Sequence, residues 1–139
     1  MPSTPRTERV FLDANVLYSA AYLPDSGLLE LWRRKEIELL SSSFAIAEAR
    51  RNLSEDRPGA LDRLARLLER VQIVGETQDL SLPKSVRLDP KDRPILLAAI
   101  AGGASHLLTG DKRHFGHLFG KAVRGVMIAR PADYLRRRP

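Results

Sequence analysis

Residues 9–13 read RVFLD, a short apolar run that ends in an aspartate and is followed by Asn15 and a helical stretch to Leu23. Such a run is typical of a strand that is buried on both faces of a sheet. Four further short runs predict strands of the same kind: residues 37–40, 72–74, 105–109 and 126–129. Because helical segments separate these strands, we expect an α/β fold, a three-layer α/β/α sandwich around a parallel sheet.

Apolar residues at helical spacing predict the connecting helices. The first of these helices covers residues 28–35, and the second is capped within 41–43 and reaches about Leu53. A third helix starts at Pro58, and its apolar face continues to Val71. The fourth covers residues 95–101 and ends at Gly102, and the last runs from Pro131 into the arginines at 136–138. Residues 77–88 are expected to be loop with a short helix around 83–86. The final arginines are expected to form a solvated tail.

The length of 139 residues suits one domain. We expect it to span residues 1–139, with a core over about 9–134 and short basic tails. No apolar run approaches the roughly 20 residues that cross a bilayer. Residues 1–9 are polar and lack the apolar stretch of a signal peptide. We therefore expect a cytoplasmic protein that makes no membrane contact.

The composition restricts the chemistry. The chain contains no cysteine, which excludes disulfides, thiolate nucleophiles and cysteine-ligated zinc. Its net charge of +6 and sequence pI near 10.2 favour a polyanionic partner such as nucleic acid. Solubility accounts equally well for a basic surface, so the charge needs a site to support that inference.

Four acids follow or flank the predicted strands. Asp13 closes the first strand, and Asp111 lies two residues beyond Thr109 at the close of the fourth. Asp92 lies at the start of the helix that feeds the fourth strand, and Glu48 lies in the helix that leaves the second. Because the carboxyl ends of parallel strands meet at one edge of the sheet, we expect these carboxylates to gather there.

Gathered carboxylates repel one another, and in a partly dry crevice a cation must neutralise them or one becomes protonated. Ligands that are all oxygen suit Mg²⁺ or Mn²⁺. Such a centre polarises a phosphoryl oxygen and activates water for in-line attack on a phosphodiester. A basic surface around an acidic centre is consistent with that reaction.

Each acid also has a simpler interpretation. Asp13 and Asp111 could be N-caps of the helices that follow them. Asp92 could belong to a capping arrangement with Asp89, and Glu48 could be a solvated residue of a helical charge pair. These alternatives remain open on the residues alone.

Five other polar residues were candidates for a role at the site. Asn15 could cap a helix or orient Asp13, and Thr109 could bind a phosphate or a metal's water or simply suit a strand. For His114 and His117 we expect surface or packing roles, because two imidazoles without a third well-placed ligand make a poor zinc site. His106 is expected to be a hydrogen-bonded structural histidine inside its strand.

The segments VFLDANVLYSA at 10–20 and PKDRPILLAAIAGGASHLLTGDKRHFG at 90–116, with an acid-bearing helix between them, resemble the PIN domain family. Within it the likeness is to the VapC-like toxin ribonucleases of bacterial toxin–antitoxin pairs. The likeness runs from Arg9 to about Tyr134. The residues that carry it, in chain order, are Asp13, Asn15, Glu48, Asp92, Thr109, Asp111 and Phe115.

This resemblance implies a central five-stranded parallel sheet and a Mg²⁺- or Mn²⁺-dependent endoribonuclease. It implies that the catalytic, metal-binding acids are Asp13, Glu48, Asp92 and Asp111, with Asn15 and Thr109 in support. It also implies a homodimer and an antitoxin that plugs the acidic pocket, often with an arginine. Ala14 departs from the family, in which threonine or serine is common at this position, so one polar contact is missing.

Three other functions compete with this one. A haloacid-dehalogenase-like phosphatase usually has a second aspartate two residues after its nucleophile, where this chain has Asn15. A response-regulator receiver has its phosphorylated aspartate after the third strand, and residues 74–76 offer none. A basic module that binds nucleic acid or a partner on the same fold, without catalysis, remains the main alternative. No residue pattern names a target RNA.

Overall fold

The computed structural model describes residues 7–75 and 80–137, and six strands within these ranges form one sheet in the order β3-β2-β1-β4-β6-β5. The strands are β1 (Glu8–Leu12), β2 (Ile37–Ser42), β3 (Val71–Val74), β4 (His106–Leu108), β5 (Ala122–Val123) and β6 (Val126–Ala129). The ladders β1–β2, β1–β4, β2–β3 and β4–β6 are parallel. The five strands of the parallel sheet are the five that the sequence predicts.

The described helices lie between these strands. They are α1 (Ala14–Tyr22), α2 (Glu30–Arg33), α3 (Ser43–Asp56), α4 (Leu61–Leu68), α5 (Arg93–Ala101), α6 (Lys112–Phe115) and α7 (Pro131–Arg136). Single 3-10 turns occupy Gly27–Leu29, Pro58–Ala60 and Gly116–Leu118. Helices α1, α3 and α4 pack on one another, and α5 packs against β2 and β3. Helices thus flank the sheet, and the expected α/β architecture is confirmed.

The sixth strand, β5, was not predicted. It pairs antiparallel with β6 through Ala122–Met127 and Val123–Val126. The connection is a two-residue turn in which Arg124 has φ 48° and Gly125 has φ 86°. Positive φ at both central residues is what a tight hairpin between twisted strands requires. A strand of two residues is too short to give a hydrophobic pattern, so the sequence did not predict it. Because β5 runs antiparallel to β6, the sheet is mixed at this edge.

Two local expectations are wrong. Val71 does not continue the helix from Pro58, because α4 ends at Leu68 and Val71 pairs with Leu39 in the parallel ladder of β2 and β3. Residues 83–86 form a turn closed by a 2.9 Å hydrogen bond from the Val86 N–H to the Pro83 carbonyl, rather than a short helix. The other calls made on residues 1–6, 76–79 and 138–139 lie outside the described residues.

The centre of the sheet is fully buried. Val10, Phe11 and Leu12 of β1 and Leu107 and Leu108 of β4 have no exposed surface. Side chains on both faces of these strands are therefore covered, which explains why the strands are continuous apolar runs. Within the part of the chain that the structure describes, no helix has the length and apolar character needed to cross a membrane.

Truncating a central strand side chain should destabilise the fold. We expect Leu107→Ala to lower the free energy of unfolding by about 2–5 kcal/mol, because Leu107 is fully buried and its removal leaves a cavity. Urea unfolding followed by circular dichroism measures the change. Leu23→Ala is the matched control, since Leu23 is 44% exposed and should lose less than about 1 kcal/mol. Equal losses would contradict the placement of β4 at the centre.

Candidate functional site

A cleft of about 490 Å³ opens at the carboxyl ends of β1 and β4, where α1, α3, α5 and α6 begin. All four predicted acids line it: Asp13, Glu48, Asp92 and Asp111. Residues nearly 100 positions apart in the chain thus meet at the sheet edge that the parallel topology predicts.

The two carboxylate oxygens of Asp13 have different partners, one at the start of α1 and one at the cleft. Its Oδ1 accepts a 2.7 Å hydrogen bond from the backbone N–H of Ala14 at the start of α1. Its Oδ2 accepts hydrogen bonds from the Thr109 hydroxyl at 2.8 Å and from Asn15 Nδ2 at 3.3 Å. Asp13 is therefore the N-cap of α1, and its second oxygen belongs to the side-chain network at the cleft.

Asn15 and Thr109 join the ends of β1 and β4. Asn15 Nδ2 donates to Thr109 Oγ1 at 3.1 Å, and Asn15 Oδ1 accepts from the Gly110 N–H at 2.7 Å. Thr109 is fully buried and also accepts from the Asp111 N–H at 3.1 Å. The two residues hold Asp13 and Asp111 in one network, so Asn15 orients Asp13 as the sequence allowed.

Asp111 and His114 form the second half of this network. Asp111 caps α6, where its Oδ1 accepts from the His114 backbone N–H at 3.0 Å. Its Oδ2 lies 2.6 Å from His114 Nδ1. The capping turn brings the His114 ring to this carboxylate, a contact that was not predicted from the sequence. The three-residue spacing from a strand-closing Asp is the signal that could have predicted this.

Asp92 has a carboxylate oxygen without a partner. It occupies the N-cap position of α5 but its side chain makes no capping hydrogen bond. Asp92 is 8% exposed, and its Oδ2 is buried and unpaired. The local turn is stabilised instead by Asp89, whose Oδ1 accepts from the Lys91 N–H at 3.1 Å. The capping alternative for Asp92 is therefore not realised.

Glu48 is half-buried on α3 and lines the cleft. Asn52 and Asp56, one and two helical turns later, line the same wall. Glu48 also acts on Asp13 through its charge, which helps to raise the pKa of Asp13. The helix face that carries Glu48 thus borders the cleft.

The acids differ in how their surroundings change their pKa values. Burial raises the pKa of Asp13 from 3.8 to about 6, in spite of the hydrogen bonds from Thr109 and Ala14. Burial also raises the pKa of Asp92. Burial acts in the same direction on Asp111, but its hydrogen bonds from the His114 ring and backbone prevail and lower the pKa. Asp13 and Asp92 are therefore the acids that most need a neutralising cation.

The donor set fits a hard divalent cation. Ligand atoms of Asp92, Asp111 and His114 lie within 4.8 Å of one another. The unpaired Oδ2 of Asp92 points to a missing positive partner, because an isolated buried carboxylate is costly. Carboxylate oxygens at such spacing are ligands that Mg²⁺ and Mn²⁺ accept.

The remaining histidines lie apart from the acids. His117 is exposed, and its Nε2 lies 2.7 Å from the carbonyl oxygen of Arg87. His106 in β4 is buried, with Nδ1 2.9 Å from Ser105 Oγ and Nε2 2.5 Å from an Arg137 nitrogen. Both fit the structural roles expected for them.

Replacing Asp13 with asparagine should change the stability of the metal-free protein in a pH-dependent way. The pKa of Asp13 is higher in the folded than in the unfolded protein. Protonation of Asp13 therefore adds to the free energy of unfolding in full below about pH 4, and this stabilisation is lost as the pH rises through about 6. At 1.36 kcal/mol per pKa unit the contribution is about 3 kcal/mol. In EDTA, the stability of Asp13→Asn relative to wild type should therefore rise by about 3 kcal/mol between pH 4 and pH 8.

Thermal unfolding across this pH range measures the effect. Asp62→Asn, at an exposed position on α4, is the matched control and should follow wild type throughout. If Asp13→Asn is equally destabilising at pH 4 and pH 8, the raised pKa of Asp13 is refuted.

Comparison with known proteins identifies the family. The model of the PIN domain matches residues 9–113, about three quarters of the chain. No curated protein matches. Among solved structures, the chain resembles one in the crystal structure of VapBC2 from Rickettsia felis bound to a DNA fragment from their promoter. The TM-score is 0.61 with 21% identity, over 88% of this chain and 98% of that one, a likeness of fold. The chain therefore belongs to the PIN domain family, whose members are generally nucleases that use divalent metals.

Proposed function

We propose that this protein is a Mg²⁺- or Mn²⁺-dependent endoribonuclease. The observation that carries the proposal is the buried, unpaired Oδ2 of Asp92 in a cleft that it shares with Asp13, Glu48 and Asp111. A carboxylate in that position is stable as an anion only beside a cation. The cleft therefore suits a divalent ion, in agreement with the family.

The four acids would hold the ion, and Asn15 and Thr109 orient Asp13 through hydrogen bonds of 3.3 and 2.8 Å. When bound, the ion would polarise the phosphoryl oxygen and lower the pKa of a water that attacks the phosphodiester. Burial raises the pKa of Asp13 to about 6, and a bound cation would favour the ionised form that serves as a ligand. Asp111, with its lowered pKa, stays ionised and serves as a ligand.

Cations at the edge of the cleft would guide the phosphate backbone to these acids. Lys91 lines the cleft, and Lys112 and Arg113 follow Asp111 directly and are exposed. The net charge of the chain is +6. Phosphates are attracted to such a surface, and the attraction weakens as salt is added.

Two aromatic residues on the cleft favour an unpaired strand as substrate. Phe44, at the start of α3, lines the cleft and is 44% exposed, and Tyr18 of α1 lines it as well. Exposed aromatic rings stack with unpaired bases, which a regular duplex does not offer. The choice of RNA over DNA comes from the resemblance to VapC-like ribonucleases.

We further propose that the protein is the toxin of a toxin–antitoxin pair and acts as a homodimer in the cytoplasm. The resemblance to VapC-like toxins supports this role, and the fold is that of a chain in the VapBC2 complex. The charged residues that line the cleft are five acids and one lysine: Asp13, Glu48, Asp56, Asp92, Asp111 and Lys91. The cleft therefore suits a cationic side chain of an antitoxin.

Purified protein should cleave RNA only when Mg²⁺ or Mn²⁺ is present. Asp13→Asn and Asp111→Asn should each reduce the rate at least about 100-fold, because the bound ion contributes several kcal/mol to catalysis. The assay follows end-labelled single-stranded and structured RNAs on denaturing gels, with EDTA as the metal-free reference. Asp62→Asn is the matched control and should retain the wild-type rate.

The same assay separates the alternatives. Equal cleavage by wild type and both site variants would indicate a contaminating nuclease and would end the proposal. RNA that is bound but uncut in every metal tested would favour the non-catalytic binding module.

Expression in a bacterial host tests the toxin role. Induction of the wild type should arrest growth, whereas Asp111→Asn should not, because it lacks a metal ligand. Co-expression of the protein encoded next to this gene should restore growth, and Asp62→Asn should remain toxic. An active purified nuclease that leaves growth unchanged would place the enzyme outside a toxin–antitoxin pair.

A further inference from the structure

We propose that His114 is a nitrogen ligand of the divalent ion, so that the metal centre combines carboxylates with one imidazole. This inference rests on the proposed metal site and extends it beyond the acids that the family resemblance implies. It does not depend on whether the protein cleaves RNA.

The position of the ring supports this assignment. His114 Nδ1 lies 2.6 Å from Asp111 Oδ2 and 3.7 Å from the unpaired Oδ2 of Asp92. The side chain of His114 is 24% exposed, so the ring is largely covered where it meets the carboxylates of Asp111 and Asp92. One imidazole nitrogen thus faces the carboxylates of both Asp111 and Asp92.

The three ligand atoms are close enough together for one ion to draw them into a single coordination shell. In an octahedral site with bonds of about 2.1 Å, neighbouring ligand atoms are about 3 Å apart and opposite atoms about 4.2 Å apart. Ligand atoms of Asp92, Asp111 and His114 all lie within 4.8 Å of one another. The contact of 2.6 Å between His114 and Asp111 is a hydrogen bond, so the ion would replace the shared proton after a small separation of the two atoms.

The backbone at His114 makes the ring available for this role. The N–H of His114 already holds Asp111 Oδ1 at 3.0 Å, which fixes the carboxylate at the start of α6. The ring is therefore not required as a second anchor for Asp111. A nitrogen donor also changes metal preference, because imidazole suits transition ions better than Mg²⁺, whereas Mn²⁺ accepts both ligand types.

Pulsed electron paramagnetic resonance of the full chain loaded with Mn²⁺ tests the assignment directly. Wild type should show the modulation of an imidazole ¹⁴N that is bound to Mn²⁺. Uniform ¹⁵N-histidine labelling should convert this signal to that of ¹⁵N, without any substitution that could perturb folding. His114→Gln should abolish the signal, whereas His117→Gln, which alters an exposed ring outside the cleft, should retain it.

A Mn²⁺ titration supplies a second measurement. Loss of a ligand should weaken Mn²⁺ binding at least about tenfold in His114→Gln and leave it unchanged in His117→Gln. If the ring serves instead as a hydrogen-bond partner that the ion displaces, His114→Gln would bind Mn²⁺ equally or more tightly. That result would overturn the assignment.

Other outcomes are equally decisive. Bound Mn²⁺ without nitrogen modulation, a signal that persists in His114→Gln, or no Mn²⁺ binding at all would each refute His114 as a ligand. RNA cleavage without the imidazole signal would refute only this inference. The imidazole signal in a protein that does not cleave RNA would refute only the proposed nuclease function.

Discussion

The hydrogen bond from Thr109 Oγ1 to Asp13 Oδ2 joins two residues that are 96 positions apart, at the ends of neighbouring strands. This bond forms because β1 and β4 are parallel and pair in register from Val10–His106 to Leu12–Leu108. Both strands therefore end at the same level of the sheet. The network that starts from this bond sets the direction of Asp13 and extends to the backbone of Asp111. The geometry of the cleft thus depends on strand register rather than on the loops around it.

This arrangement opposes stability when the acids are ionised. Burial raises the pKa of both Asp13 and Asp92, which means that folding works against their charge at neutral pH. A bound cation would reverse that balance, because a ligand that binds only the folded state stabilises it. Local conflict of this kind is expected at a functional site and seldom tolerated elsewhere in a fold.

The sequence predicted the parallel strands well because burial on both faces makes each of them a continuous apolar run. It could not predict β5, whose two residues carry no pattern, and it extended a helix to Val71 because helical spacing continued by chance into β3. Asp13 and Asp111 could be placed from topology alone. Asp92 and Glu48 needed the family resemblance, since a sequence does not fix how a helix rotates against the sheet. His114 was missed because its position follows from the capping turn at Asp111.

Asp13 and Asp111 each divide their two oxygens between the fold and the cleft. In both residues Oδ1 accepts from a backbone N–H at a helix start, and Oδ2 is directed into the side-chain network. An asparagine keeps an Oδ1 acceptor for the cap while it removes the negative charge, whereas alanine removes both. Because a lost cap costs about 1 kcal/mol by itself, alanine variants would combine a stability loss with a chemical one. The amide nitrogen of an asparagine cannot accept the hydrogen bonds that Oδ2 of Asp13 receives from Thr109 and Asn15, so the change in stability with pH, rather than its size at one pH, isolates the effect of the charge.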